Sequence, residues 1–203
     1  MSEWNEEDSS TYRDIADVAV PFRAQMTAAL VSSVPFDRDA AVQFVELGSG
    51  EGQLAAALLD AYPRATLVAL DGSESMRARA ALRLQPFGQR VRIRQFDVRA
   101  LDWWDVMFGA DLVLSVLQLQ RLNDAKKRYL FKAVADRLSP RGTFLIADSV
   151  EPALLHQLIW LKHAGFAVAD CFWLFERHAV FAGFKQAPAI PGEGSAPQPP
   201  ADN

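Results

Sequence analysis

Short apolar runs alternate along the chain with longer segments whose apolar residues recur at helical spacing. Five runs have the length and content of buried strands: 42–47, 65–70, 91–96, 111–116 and 143–147. Four segments have helical spacing or helix-capping residues: 51–62, the stretch that Ser73 opens, 123–138 and 152–164. This alternation predicts an α/β fold with a doubly wound, mostly parallel sheet and helices on both faces.

The carboxyl-terminal part follows another pattern. Runs 168–174 and 178–184 are separated only by a short turn, which predicts an antiparallel hairpin. Residues 186–203 hold five of the 11 prolines and few apolar side chains, so we expect a disordered tail there. One domain is expected over residues 1–185, with an N-terminal helical segment at 9–34.

Composition narrows the possible functions. The 203 residues carry a net charge of -4, which does not favour broad binding to nucleic acid or to a membrane surface. Cys171 is the single cysteine, and the three histidines are scattered, so we expect neither a disulfide nor a metal site. The acidic amino terminus is unlike a signal peptide, and no apolar run is long enough to cross a membrane. We therefore expect a cytoplasmic protein.

The loop after the first predicted strand contains three glycines, Gly48, Gly50 and Gly52. Ligands of doubly wound sheets bind at the carboxyl ends of the strands, and glycines there allow a ligand to approach the backbone. The dinucleotide fingerprint would need a third glycine at position 53, which is Gln53. Glu51, expected at the helix N-terminus, would also repel a phosphate. These features disfavour a dinucleotide but would tolerate a cationic cofactor without phosphate, such as S-adenosyl-L-methionine; the alternative is that the loop is a plain tight turn.

Acidic residues end the next two strands. Asp71 can accept hydrogen bonds from both ribose hydroxyls of a nucleoside, or it can cap the helix that begins near Ser73. Asp97 can accept a hydrogen bond from an adenine amino group while Val98 offers its backbone N–H, or Asp97 can end the strand in a turn. Ser115 lies at the end of the fourth strand, where backbone could meet the methionine part of the cofactor.

Five segments resemble, in order and spacing, the motifs of class I S-adenosylmethionine-dependent methyltransferases. They are VELGSGEGQLAAAL, VALDGSESMRARA, FDVRALDW, DLVLSVLQLQRL and RLSPRGTFLIADS. The resemblance implies a Rossmann-like methyltransferase fold of seven strands with a reversed last strand. It places Glu46, Gly48, Ser49, Gly50 and Gly52 at the amino-acid and sulfonium region, and Asp71 at the ribose. It also places Gly72, Met76, Asp97 and Val98 at the adenine, and Ser115 with Val116 near the methionine portion. Tyr12 and Arg23 lie in the stretch that closes over the cofactor in similar proteins.

Two departures from the family pattern concern the methyl acceptor. Gln120-Arg121-Leu122 stands where close relatives often have His-His-Leu, and the helical lid after the fifth strand appears shortened to an ordinary loop. For an alcohol or phenol acceptor, the general-base candidates are Asp148 and His156, besides Glu46 and, less favoured, His178. Asp148 could instead cap the following helix.

Three functions stay open at this point. The first is transfer of a methyl group to a small or medium-sized acceptor by in-line displacement. The second is a catalytically reduced methyltransferase-like protein that binds the cofactor and a protein partner, or a second copy, through its lid-side surface. The third, an NAD-dependent dehydrogenase, is disfavoured by the loop. The aromatic residues near 172–175 could cover a partner, but core packing is the preferred interpretation.

Overall fold

The computed structural model describes residues 22–98, 100, 104–150 and 153–187. Within these ranges the helices are α1 (Arg23–Ser32), α2 (Gln53–Ala61), α3 (Glu74–Leu84), α4 (Asp124–Arg137) and α5 (Leu154–Ala164). The strands are β1 (Gln43–Leu47), β2 (Thr66–Asp71), β3 (Val91–Gln95), β4 (Leu112–Val116), β5 (Thr143–Ser149), β6 (Val168–Phe175) and β7 (His178–Phe184). Every helix and strand predicted from residue 42 onward is present, with ends shifted by at most two residues.

The strands form one sheet in the order β3-β2-β1-β4-β5-β7-β6. Strands β1 to β5 pair in parallel, whereas β7 is antiparallel to both β5 and β6. This confirms the seven-stranded doubly wound fold with a terminal antiparallel hairpin. The strand order reverses between β1 and β4, so the loops after these two strands flank the crevice where such sheets bind ligands.

Helix ends follow from local chemistry. Ser73 Oγ accepts a hydrogen bond from Met76 N at 3.2 Å, and this cap begins α3. Asn123 Oδ1 accepts one from Lys126 N at 3.0 Å and begins α4. Gly165, with φ of 108°, ends α5 in the left-handed conformation that favours glycine.

Each face of the sheet has its own hydrophobic core, because the crossover helices lie on both sides. One core packs α1, α2 and α3 against side chains such as Phe44, Leu67 and Leu114. The other packs α4 and α5 against Val45, Val113 and other residues of the opposite face. The central strands are therefore buried on both faces, which explains why their sequences are nearly continuous apolar runs.

The edge strand β6 departs from expectation. Phe172, Leu174 and Phe175 are 43%, 57% and 44% exposed, so the interpretation of these residues as core is wrong. Cys171 on the same strand is only half-buried. The reason is that β6 is the edge strand of the sheet and pairs with a neighbouring strand on one side only.

Some expectations lie outside the described residues. Residues 9–21 of the predicted N-terminal helical segment, which include Tyr12, lie outside them, as does the predicted tail beyond residue 187. Within the described part, the N-terminal segment contains α1, which contacts β5, β6 and β7.

Candidate functional site

Three loops meet at the carboxyl edge of the sheet. Leu47 at the end of β1 pairs with Leu70 of β2 on one side and with Ser115 of β4 on the other. The loop after β1 is tied to β2, because Gly48 N and Ser49 N both donate to Leu70 O, at 2.8 and 2.9 Å. The glycine loop is therefore held between the ends of β2 and β4, as the sequence predicts.

The three glycines of this loop all have positive φ, but they serve different purposes. A Cβ on Gly52 would lie 3.0 Å from Leu84 Cδ1, so this glycine allows α2 to pack closely on α3. A Cβ on Gly50 would meet nothing within 4 Å, so the backbone of Gly50 borders open space. Gly50 is the position at which a ligand can approach the loop most closely.

Asp71 connects the glycine loop to the end of β2. Its Oδ2 accepts a hydrogen bond from Gly50 N at 2.8 Å, and its Oδ1 accepts one from Ser73 N at 2.9 Å. Burial raises the pKa of Asp71, while these two backbone N–H groups and the charges of Arg77 and Arg121 lower it in part. The carboxylate organises both loops and keeps further acceptor capacity, because an ionised carboxylate can accept about four hydrogen bonds.

Glu46 lies beneath the loop and is only 2% exposed. Burial, followed by the charge of Asp71, raises the pKa of Glu46 to about 8. Glu46 Oε2 and the nearby Ser49 Oγ are buried without a hydrogen-bond partner among the described residues. Glu46 is thus mostly protonated at pH 7.

Glu51 also differs from expectation. Helix α2 begins at Gln53 with Gly52 as its N-cap, and the Glu51 carboxylate pairs with Arg79 at 3.5 Å and with Arg83 at 3.6 Å. Its charge is directed at α3 rather than at a ligand on the loop. The two arginines offset the negative charge of Glu51 and so weaken the expected repulsion of phosphate, and the glycine spacing is the stronger feature that disfavours a dinucleotide.

Four further predicted residues lie along the same edge, whereas Arg23 lies elsewhere. Gly72 and Met76 are at the start of α3, and Asp97 and Val98 follow β3. Asp97 is exposed and Val98 is half-buried. Arg23 is the first residue of α1, on the face of β5 to β7. These positions agree with a ligand lying across the ends of β1, β2 and β3, and the individual contacts stay predictions.

The loop after β4 contains a feature that the sequence did not reveal. Ser115 is fully buried and Val116 half-buried, and Leu117 has a φ of 53°, which is unusual for a residue with a branched side chain. The side chain of the next residue, Gln118, lies directly against Gly48. A glutamine carries no motif signal, and its direction toward the glycine loop follows from the backbone of the loop after β4, including the positive φ of Leu117.

Comparisons with known proteins agree with this geometry. A family profile described as a methyltransferase domain matches residues 44–142. The trans-aconitate 2-methyltransferase of Deinococcus radiodurans is 28% identical over 143 residues, which are 70% of this chain and 48% of that protein. The chain therefore spans about half the length of this curated relative.

The solved structures that resemble the chain include other methyltransferases. An O-methyltransferase family protein from Burkholderia thailandensis has a TM-score of 0.70 at 17% identity, covering 87% of this chain and 59% of that one. A methyltransferase in complex with the Trm112 activator of Haloferax volcanii has a TM-score of 0.66 at 17% identity, covering 91% and 100%. These matches identify residues 44–142 as a methyltransferase domain of the class I, S-adenosylmethionine-dependent type. They support S-adenosyl-L-methionine as the cofactor.

The site in this domain fits that cofactor. Open space at Gly50, the Asp71 carboxylate and the unpartnered polar atoms of Glu46 and Ser49 provide a glycine cradle with polar groups around it. No group of three or more metal-ligating side chains occurs within the described ranges. None of the helices described is long and apolar enough to cross a membrane.

Asp148 and His156, the candidate bases, occupy different environments. Asp148 is fully buried, and its carboxylate accepts hydrogen bonds from Leu119 N at 2.6 Å, Ser149 N at 2.7 Å and Gln120 N at 3.3 Å. It does not cap α5, whose N-cap is Ala153. Burial raises the pKa of Asp148, and these N–H groups together with Lys127 lower it in part. His156 is exposed on α5, where its ring stacks on Trp160.

Proposed function

We propose that this chain transfers the methyl group of S-adenosylmethionine to a small or medium-sized acceptor by in-line displacement. The observation that carries the proposal is the cradle in which Asp71 binds the backbone of Gly50 while that backbone borders open space. When bound, the cofactor supplies an electrophilic methyl group, and the protein supplies binding and orientation.

Different residues along the carboxyl edge of the sheet bind different parts of the cofactor. Asp71 holds the ribose hydroxyls, while Asp97 and Val98, with Gly72 and Met76, hold the adenine. The glycine loop, with Glu46 and Ser49, accommodates the amino-acid and sulfonium part. Backbone of Ser115 and Val116 borders the methionine portion, and Tyr12 and Arg23 contribute from the N-terminal segment.

Support for a small acceptor comes from charge and from the relative. The chain is acidic overall, with a net charge of -4, which does not favour a nucleic-acid substrate. The relative in Deinococcus radiodurans is named for methylation of trans-aconitate, a small molecule. Asp148 is surrounded by backbone donors, so its geometry favours a positioning role, and His156 remains the more accessible candidate base.

Two measurements test the proposal. Calorimetry should show binding of S-adenosylhomocysteine and none of NADH. Incubation with cofactor labelled in its methyl group and a metabolite extract should then give a labelled small molecule. Binding of NADH in place of S-adenosylhomocysteine would contradict the cofactor site, and binding without any transferred label would contradict only the catalytic part.

A second candidate function is binding without turnover, with a protein partner or a second copy on the lid-side surface. It is favoured by the short connection 150–153 between β5 and α5 and by the exposed apolar side chains of β6. The structural neighbour that this chain covers completely is itself in complex with an activator protein. Retained S-adenosylhomocysteine binding with no labelled product, alone or with cell extract added, would favour this candidate.

A further inference from the structure

The side chain of Gln118 fills the space directly above the first glycine of the loop. A Cβ placed on Gly48 would lie 2.7 Å from Gln118 Oε1, 2.9 Å from its Cδ and 3.1 Å from its Cγ. The first two distances are shorter than real Cβ contacts, so a side chain at position 48 would displace the carboxamide. Gly48 therefore leaves room for Gln118, whereas Gly50 leaves room for a ligand.

The backbone on both sides of Gln118 is fixed. Leu117 N donates to Ala147 O at 2.8 Å, and Gln120 Nε2 donates to Leu117 O at 3.2 Å. After Gln118, the Asp148 carboxylate holds Leu119 N and Gln120 N. A positive φ at a leucine is strained and persists only where the surroundings impose it. The loop is thus built to direct residue 118 toward the glycine loop.

Gln118 and Asp71 lie on opposite flanks of β1. Asp71 ends β2 and Gln118 follows β4, and the glycine loop lies between these two strands. A cofactor whose ribose is held by Asp71 and which crosses Gly50 therefore extends its amino-acid end toward Gln118. Arg121, in the same loop as Gln118, acts on the pKa of Asp71, which shows that the loop after β4 faces the end of β2.

The chemistry of a carboxamide matches that end of the cofactor. A glutamine side chain offers two N–H donors and one carbonyl acceptor on a neutral group. An α-amino acid presents a carboxylate that accepts and an ammonium that donates. We propose that Gln118 recognises the amino-acid portion of the cofactor and so distinguishes it from a nucleoside that lacks this portion. The proposal rests on the proposed function, because it uses the cofactor orientation given there.

The test compares two ligands that share a nucleoside. S-adenosylhomocysteine carries the amino acid, and 5′-methylthioadenosine does not. Dissociation constants for both are measured by calorimetry on the wild type, Gln118→Ala and Gln118→Met, which keeps the length but loses the polar atoms. Gln53→Ala is the matched control, because Gln53 is an exposed glutamine at the start of α2 beside the same loop.

Both Gln118 variants should bind S-adenosylhomocysteine about tenfold more weakly, the loss expected for hydrogen bonds to charged groups. Their affinity for 5′-methylthioadenosine should stay within about twofold of the wild type, since the nucleoside contacts are unchanged. Gln53→Ala should change neither. Equal weakening of both ligands, or no change in either, overturns the role of Gln118 while the cofactor site stands. A wild type that binds neither ligand overturns the proposed function and this inference together.

Discussion

The centre and one edge of the sheet differ in how well their side chains are covered. At the centre, where β2, β1 and β4 end, Asp71 and the loops are joined by hydrogen bonds, and Glu46 is almost fully buried. At the edge formed by β7 and β6, large apolar side chains of β6 face solvent. We call the first region, which holds the proposed cofactor site, the buried half and the second the exposed half.

The difference has a physical origin in strand order. Parallel strands joined by crossover helices are covered on both faces, and their carboxyl ends form a crevice with fixed geometry. The terminal hairpin needs no crossover helix, so its outer strand has one neighbour and less cover. Phe22 packs on Phe175 with ring centroids 4.3 Å apart, but Phe175 remains 44% exposed. Function that varies between relatives is expected on this less constrained side.

The largest effect on stability is expected when the loop after β4 loses the hydrogen bonds that Asp148 accepts. Asp148→Ala leaves three backbone N–H groups without their acceptor and removes a charge that attracts buried Lys127. We expect the free energy of unfolding to fall by about 3 kcal/mol or more, measured by urea denaturation. Asp136→Ala, on an exposed ion pair with Lys132, should cost less than about 0.5 kcal/mol. Similar losses in both variants would mean that Asp148 does not hold the loop.

The next effect concerns cofactor affinity. Asp71→Ala removes the proposed acceptor of the ribose hydroxyls and the partner of Gly50 N. We expect S-adenosylhomocysteine to bind about 100-fold more weakly, since each charge-assisted hydrogen bond contributes about 1.5–3 kcal/mol. Calorimetry measures the change, with Asp60→Ala on the exposed face of α2 as control. An affinity within about threefold of the wild type would leave Asp71 with a purely structural role.

Much of the buried half could be predicted from the sequence, because the motifs that define it are local. The glycines, Asp71 and the apolar runs occur at fixed spacings, and these spacings predicted the mostly parallel sheet, the terminal hairpin and the position of the loop, while the family resemblance implied seven strands. The charge state of Glu46 could not be predicted, since it depends on burial by residues distant in sequence. The same holds for Glu51, whose arginine partners lie on α3, a full strand and helix later.

The role of Gln118 was equally hidden. Its position depends on the positive φ of Leu117 and on Asp148, which is 29 residues from Leu119. On the other side of the molecule, alternation along β6 suggested core packing because a sequence does not show which strand lies at the edge. Leu174 and Phe175 look like core residues in sequence, and only the strand order exposes them.

A third prediction uses the buried carboxyl group. The pKa of Glu46 is raised from 4.5 to about 8, so the folded chain keeps a proton that the unfolded chain releases between these pH values. Stability from this group is therefore lost as pH rises, by about 1.4 kcal/mol per pH unit at most. Glu46→Gln has no such proton, and its stability relative to the wild type should increase by about 2 kcal/mol from pH 5.5 to 7.0.

Urea denaturation at both pH values measures this difference. Glu74→Gln, at the exposed start of α3, is the matched control and should show no comparable trend. A constant difference between Glu46→Gln and the wild type across this range would mean that Glu46 is already ionised. In that case the buried half would contain an ionised carboxylate, and the two halves would differ in buried charge as well as in solvent exposure.

The smallest effect is expected for a substitution on the exposed strand β6. Leu174 on β6 is 57% exposed, whereas Leu58 on α2 is fully buried. Leu174→Ser should therefore change the free energy of unfolding by less than about 0.5 kcal/mol, while Leu58→Ser should cost several kcal/mol through the cavity and the buried hydroxyl. Urea denaturation and the elution volume of each variant are measured together. A loss above about 1 kcal/mol for Leu174→Ser, or a change in its elution volume, would show that this face is covered in solution, because a solvated leucine contributes almost nothing to stability.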